Sequence, residues 1–412
     1  MASLPTEDST TQPAAQLEAG TPEYTRANLA MFLGGFATFA MVYSTQPLLP
    51  LLANDFGVSA ASASLTVSAT AAGLALMLIP GSVLADRIGR QQVMKISLAI
   101  AAVLALATAV VPDFTALLVL RALLGAVLAG LPAAAMAYIG EEVAVSAQAR
   151  AMGLYIAGNA LGGMSGRFVS ALLTDWSSWR WALGVIGVLG LVSAIVFWRR
   201  LPASRHFTPR AATPARIFRD TVAIYRDPGL PLLFLVAFLA MGAFVGLYNF
   251  LGFRLQAAPY ALGQTAIGAI FLLYLVGTWA SALSGRLAER QGRRKVLWMM
   301  VTVMGAGLAL TLAAPLWVII AGVGVFTFGF FAAHALASGW VGRRAGERRA
   351  LASALYLTSY YFGASVIGTV AGTAWAAWHW PGLAALLGAC LLATLIAALL
   401  LRRLPPPADT PR

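Results

Sequence analysis

Two arginines stand inside apolar runs of this chain, and almost no charge of opposite sign accompanies them. Arg121 lies some seven residues into one run, and Arg167 lies nearer the end of the next. A charge at such depth in a bilayer costs roughly 2.5–3.5 kcal/mol on insertion scales, so each is a functional candidate. Either could bind an anionic group on a ligand or act as an internal counter-charge, and both are expected to face a central cavity. Of the 15 acids, none falls in the middle of a run. Proton carriage therefore falls to His334, the one imidazole within a run, or to Glu141 and Glu142 at a run's end. Histidine titrates near neutral pH; a structural histidine and solvated surface acids are the competing readings. Tyr43 and Gln46 precede Pro47, and Tyr248 and Asn249 occupy a similar place later in the chain. Tyr356 and Tyr360 share one helix face, and Tyr361 follows. As a set these residues suit an apolar, aromatic cavity for small amphipathic molecules.

The elements that must position them are membrane helices. Sixty per cent of the residues are apolar and 10% are charged, against roughly 25% charged in soluble domains. Runs of about 20 apolar residues span a bilayer. Twelve are expected, near 28–50, 62–84, 92–111, 115–139, 148–172, 181–200, 230–254, 264–287, 295–313, 316–340, 350–376 and 383–401. An even number places both termini on one side. If that side is cytoplasmic, the inside segments carry 24 of the 28 Lys and Arg residues, leaving Arg121, Arg167, Arg180 and Arg254. This is the positive-inside bias. It accounts for the net charge of +13 without nucleic acid.

A charged loop occurs twice. Gly81 and Leu84-Ala85-Asp86-Arg87-Ile88-Gly89-Arg90 recur as Ser284 and Leu287-Ala288-Glu289-Arg290-Gln291-Gly292-Arg293, 203 residues on. Trp176, Trp179 and Trp181 recur as Trp375, Trp378 and Trp380, and Leu154-Tyr155 recurs as Leu355-Tyr356. The Trp triplets are read as interfacial anchors. The chain then divides into a disordered cytoplasmic tail (1–26), a six-helix bundle (27–200), a linker (201–229), a second six-helix bundle (230–403) and a short tail (404–412). A duplicated membrane bundle is the architecture of secondary transporters. Asp86 reads as a gate latch with Arg87, Arg90 and Arg150 as partners, since a carboxylate is favoured beside arginines. Glu289, Arg290, Gly292 and Arg293 form its second copy. The alternative is that these charges only set topology.

In the fifth run Gly158, Gly162 and Gly166 share one face, which lets another backbone approach closely. Gly153, Asn159 and Gly163 flank that face. Plain helix packing is the simpler reading of the glycines.

The loop Gly81…Asp86-Arg87-x-Gly89-Arg90 resembles the signature between helices 2 and 3 of the major facilitator superfamily. Arg121 followed by Gly125 resembles its helix-4 signature. Gly153…Gly158-Asn159-Ala160-Leu161-Gly162-Gly163 resembles the antiporter signature of its drug:proton efflux branch. Gly158 through Arg167, Phe331-Ala332-Ala333-His334 and Tyr360-Tyr361 resemble bacterial inner-membrane efflux permeases. Gln91 stands where the family has a basic residue, and Asn159 where it has Pro. The resemblance spans roughly 28–403. It implies an all-α fold of two pseudo-symmetric bundles, alternating access, a glycine seam that restrains leak, and proton-coupled efflux of small organic compounds.

With two arginines and no mid-span acid, the cargo is expected to be neutral or anionic. Import or facilitated passage of a sugar or organic acid is the alternative. An integral-membrane enzyme would need a clustered catalytic set, which three scattered histidines do not supply. No phosphate-binding G-x-x-x-x-G-K-[ST] string is present. One cysteine, Cys390, excludes an internal disulfide. The expected partners are a small-molecule substrate, protons and the bilayer, with no cofactor, no metal and no second copy.

Overall fold

In hydrocarbon every backbone N–H and C=O must bond within its own segment, so the apolar runs form helices. The computed structural model describes residues 16–209 and 213–404. The first half contains α1 (Pro22–Tyr43), α2 (Leu49–Asp55), α3 (Ala60–Ile88), α4 (Arg90–Thr108), α5 (Phe114–Leu128), α6 (Gly130–Glu142), α7 (Val145–Trp176) and α8 (Trp179–Arg200). After α9 (Pro214–Arg226) come α10 (Leu230–Gln256), α11 (Gln264–Ile270), α12 (Tyr274–Gln291), α13 (Arg293–Leu310), α14 (Leu316–Arg344) and α15 (Arg349–Arg403). Among the described residues, nine continuous helical segments are long and apolar enough to cross a membrane. Helices α7 and α13 add two, and the last segment contains two spans, for twelve in all.

Several spans are interrupted. A 3-10 turn at Gln46–Leu48 joins α1 to α2, and another at Phe271–Leu273 joins α11 to α12. Helices α5 and α6 meet at Ala129. Helix α15 breaks at Trp378 and His379, with Pro381 just beyond. Starts are fixed by side chains that accept the first free N–H groups: Thr21 from Tyr24, Ser59 from Ser62, Asp113 from Ala116 and Ser178 from Trp181. The Thr21-Pro22 cap starts α1 inside the segment expected to be a loose tail. Residues 1–15 and 405–412 of the expected tails lie outside the described residues. The link 201–229 also holds more order than expected. Thr213 caps α9, whose Ile217, Thr221 and Ile224 share a face among arginines.

Both charged loops reduce to one residue. Gly89 (φ +107) joins α3 to α4, and Gly292 (φ +81) joins α12 to α13. Only glycine adopts this backbone readily, which explains why it recurs where flanking side chains change. Within each half α1 packs on α7, α3 on α5, and α10 on α15. Between halves α3 lies along α15 and α7 along α11.

The chain has an arginine-rich end and a far end. At the first, Leu17 pairs with the α6–α7 loop, Gln91 donates to the carbonyls of Leu201 and Pro202, and Arg294 donates to the carbonyl of Arg402. At the far end Arg180 pairs with Asp55 at 2.8 Å, and Arg254 donates to the carbonyls of Thr311 and Ala313. The Trp triplets there behave unequally. Trp176, Trp181 and Trp378 are exposed, whereas Trp179 and Trp380 are buried and donate to Asp55 and Thr311.

Candidate functional site

In the first charged loop Arg90 is the hub. Its guanidinium meets Asp86 at 2.8 Å and holds Glu141 through two bonds of 2.6 and 2.7 Å. Arg87 and Arg150, the other expected partners of Asp86, make no ion pair among the described residues. Glu142 is buried and accepts from the backbone N–H groups of Arg205 and His206 and faces His206 Nδ1 at 3.1 Å. Both glutamates are therefore engaged structurally: one fixes the loop and the other anchors the link after α8. The second loop is built differently. Among the described residues Glu289 and Arg293 make no ion pair; the acids engaged at that end are Asp227, 2.5 Å from Arg344, and Asp220, 3.2 Å from Arg348. Burial opposes the charge of Asp227. Even so, the Arg344 bond and the N–H groups of Leu230 and Gly229 hold its carboxyl below the usual carboxylate range.

Arg121 does not face a cavity, contrary to expectation. It is 1% exposed, and its guanidinium donates to the carbonyls of Met41 (2.9 Å), Thr66 (3.3 Å) and Val42. Helix α1 ends at Tyr43, leaving its last carbonyls without i+4 donors, and Pro47 has no N–H to offer. Those carbonyls carry partial negative charge, which suits a guanidinium. Arg121 thereby pins the break that presents Tyr43 and Gln46.

The closest gathering of the expected site residues lies between the halves, around Arg167. This side chain is 2% exposed rather than reaching toward the surface. Its guanidinium sits 3.9 Å from the Tyr43 ring centre, 4.8 Å from Tyr274 and 5.4 Å from Phe271, an aromatic cage for a cation. Nε donates to Gln46 Oε1 at 2.6 Å, and Nη1 to the Gly163 carbonyl at 2.7 Å. Gln46 Nε2 in turn donates to Asn249 Oδ1 at 2.8 Å, a bond between residues 203 apart. That is the repeat interval of the charged loops, so the amides are repeat equivalents meeting between the halves.

Chemistry sets the direction of this chain. Arg has donors only, so Gln46 must turn its oxygen to Arg167 and its nitrogen to Asn249. Asn249 must then offer its oxygen, which leaves its Nδ2 with no partner among the described residues. Ser68 Oγ and the Tyr274 hydroxyl are likewise buried and unpartnered. A Cβ built at Gly368 would lie 3.2 Å from Ser68 Oγ and 3.6 Å from Asn249 Nδ2, so both groups border the same glycine.

Aromatic rings link Arg167 to a second cluster. Tyr274 neighbours Phe244 at 5.5 Å, Phe244 stacks on Phe330 at 3.9 Å, and Phe330 stacks on His334 at 6.0 Å. Tyr248 packs on Phe271 and shares a 2.8 Å hydrogen bond with Thr327. His334 Nδ1 lies 3.0 Å from the Tyr356 hydroxyl, and Tyr360 covers the imidazole at 4.7 Å. A cavity of about 10 Å³ adjoins this group, the scale of one water molecule. Sequence reasoning missed Phe244, Phe271, Tyr274 and Phe330. The i, i+3 pair Phe271/Tyr274 was the available signal, hidden in a run where aromatics pass for packing.

The seam behind the site is tight. A Cβ at Gly158 would lie 2.4 Å from the Phe32 carbonyl oxygen, and one at Gly162 would lie 2.0 Å from that of Phe36. At Gly166 it would meet Ala40 Cα at 2.5 Å. Asn159 presses on α1 at Gly35, whereas Gly153 has open space.

The far end closes across the halves. Asp175 of α7 accepts from the N–H groups of Gln264 (3.2 Å) and Thr265 (2.7 Å), capping α11, while the Gln264 side chain donates to the Pro47 carbonyl. With Gln46–Asn249, these are the hydrogen bonds joining the two bundles among the described residues.

Known proteins match this architecture. The sequence model of the Major Facilitator Superfamily matches residues 31–281 and 255–412. The chain is 43% identical over 395 residues to the inner membrane transport protein YnfM of Escherichia coli, covering 96% of this chain and 95% of that one. It is 42% identical over 379 residues to the uncharacterized MFS-type transporter YybF of Bacillus subtilis, covering 92% and 94%. An inward-facing, occupied structure of a bacterial homolog of the human lysosomal transporter Spinster superposes with a TM-score of 0.76. It shares 18% identity and covers 92% of this chain and 96% of that one. Matched along both halves and over nearly its full length by transporters, the chain belongs to the Major Facilitator Superfamily and is a membrane transporter, not an enzyme.

Proposed function

We propose that this transporter exports small organic compounds in exchange for protons by alternating access, and that its cargo is neutral or anionic. The observation that carries the cargo class is Arg167. Its guanidinium sits between the halves with no carboxylate beside it, in an aromatic cage, and directs a free N–H donor on Asn249 toward the same interior. An organic acid with a flat apolar body would match the rings through its body and the donors through its acid group. His334, an imidazole within a span that faces the Tyr356 hydroxyl at 3.0 Å beside a water-sized cavity, is the proton carrier in this reading. Arg121 is a positioning residue.

The arginine-rich end, with loops 86–90 and 289–293, is assigned to the cytoplasm of a bacterial inner membrane by the positive-inside rule. The Asp86–Arg90–Glu141 cluster then belongs to the cytoplasmic gate, and the Asp175–α11 cap to the outer one. The two bundles, 27–200 and 230–403, rock as a monomer. Export rests on the likeness of the helix-5 seam to the antiporter signature. Organic-acid import is the second reading, favoured by the same Arg167.

Everted membrane vesicles containing the protein should accumulate aromatic carboxylates over quaternary ammonium compounds, and collapsing the pH gradient should stop this. Arg167→Gln should lower the initial rate for carboxylates at least ~10-fold, the scale of one lost charge-assisted hydrogen bond, with normal protein level. Accumulation that ignores the pH gradient would remove proton exchange. Equal handling of cations by the Gln variant and the parent, with carboxylate transport intact, would remove the role of Arg167.

A further inference from the structure

The second charged loop has a consequence beyond transport. Beside Gly292 lies a cavity of about 690 Å³ lined by Arg293, Arg294, Lys295, Arg343 and Arg402, with Ala288 and Trp340 on its apolar side. No acid lines it. Arg344, also at its wall, is already neutralised by Asp227. The same place in the first half is filled from within the chain, where Asp86 and Glu141 hold Arg90. In the second half the end of α14 carries Arg343 and Arg344 where the end of α6 carries Glu141 and Glu142. Five cations thus converge where the described residues supply no anion, and like charges this close repel unless an anion joins them.

A second cavity lies along the same seam. Helices α13 and α15 pack together, and Arg294 reaches across to the carbonyl of Arg402 at the arginine-rich end. Seven residues further along both helices, roughly 10 Å by helical rise, a groove of about 720 Å³ begins at Val301 and Leu395. It runs past Gly305, Leu308 and Gly388 to Leu312 and Pro381. It is apolar, and Leu312 and Leu392 on its rim are exposed. A cationic cleft at one level and an apolar groove directly below it are spaced as the headgroup and acyl chain of a lipid.

We propose that this seam is a binding site for an anionic phospholipid, with the phosphate headgroup among Arg293, Arg294, Arg343 and Arg402 and an acyl chain in the α13–α15 groove. Basic residues near a bilayer surface each favour anionic lipid. The groove commits the occupant to a lipid over a free phosphate compound.

The test titrates the purified, delipidated full-length protein with phosphatidylglycerol or phosphatidylcholine and counts retained lipid by native mass spectrometry. Phosphatidylglycerol should be retained about ten-fold more tightly or better. The triple variant Arg294→Gln/Arg343→Gln/Arg402→Gln should lose that preference. Arg402→Gln alone, at an exposed helix end, should lose part of it and covers the case in which the triple variant does not fold. Gly388→Leu, whose Cβ meets nothing within 4 Å, should fill the groove and weaken phosphatidylglycerol several-fold while leaving pyrophosphate binding unchanged. Arg199→Gln/Arg200→Gln, at the end of α8, should change nothing. Equal retention of the two lipids, or unchanged preference in a folded triple or single variant, overturns the proposal. Pyrophosphate binding combined with normal phosphatidylglycerol retention by Gly388→Leu assigns the cleft to a soluble phosphate and overturns the lipid.

Discussion

The two copies of the charged loop share a backbone and differ in electrostatics. Both turn on one glycine at positive φ between two long helices. In the first, Arg90 is held by Asp86 and Glu141; in the second, Arg293 has no acid partner among the described residues and faces more arginines. The turn is a steric requirement that a duplicated helix pair cannot drop, so its glycine persists. Charge partners are free to diverge once each half meets different surroundings. The first loop is internally neutral and is suited to hold a defined position. The second leaves positive charge to be met from outside.

The largest test of this contrast asks whether the halves share their backbone contacts as they share the turn. Gly162 approaches Phe36 and Gly363 approaches Phe238 equally closely, with a built Cβ 2.0 and 1.9 Å from the respective carbonyl oxygens. Gly162→Ala and Gly363→Ala should each destabilise by about 3 kcal/mol, the upper range of overpacking, in thermal unfolding in detergent. Gly153→Ala should be silent; a cost confined to one half would break the parallel. Next comes the charge difference. Glu141→Gln leaves Arg90 largely buried with half its partners and should cost about 2 kcal/mol. Glu289→Gln should stay within about 0.5 kcal/mol, so equal effects would show that the loops are electrostatically alike after all.

A smaller effect than that of Glu141 concerns Asp227, the acid paired with Arg344. Its folded carboxyl titrates below the unfolded value of about 3.9. Its contribution is therefore complete above about pH 4 and disappears as pH falls through the depressed folded value. Asp227→Asn should lower stability by about 1 kcal/mol at pH 6, as expected for a partly exposed pair. The gap to the parent should close in strong acid. A gap that persists there would mean the loss comes from the α10 cap geometry rather than from charge.

Much of this was legible in the residues, and the reasons are physical. Apolar runs must be helices in a bilayer, so twelve spans and the repeat follow from composition and spacing. The Asp86–Arg90 pairing follows from i, i+4 proximity. The partners of Arg121 were not legible, because backbone carbonyls carry no residue-type signal; only the break before Pro47 hinted at them. Tyr274 and Phe271 were hidden among lipid-facing aromatics. Helix α9 was masked by arginines that broke its apolar stripe, and the Asp175 cap on α11 joins residues about ninety apart with no shared motif.

The amide pair Gln46–Asn249 has a consequence of its own. Two equivalent amides meeting near a twofold axis could donate to each other as a symmetric pair, but Arg167 takes the Gln46 oxygen and a single one-way bond from Gln46 to Asn249 remains. Arg167 settles the tie, and the two amides relay its sign from one bundle into the other as a line of matched dipoles. The interior is thereby given a polarity that belongs to neither half alone. A carboxylate in place of Arg167 would turn both amides over and present an oxygen where Asn249 now presents a nitrogen.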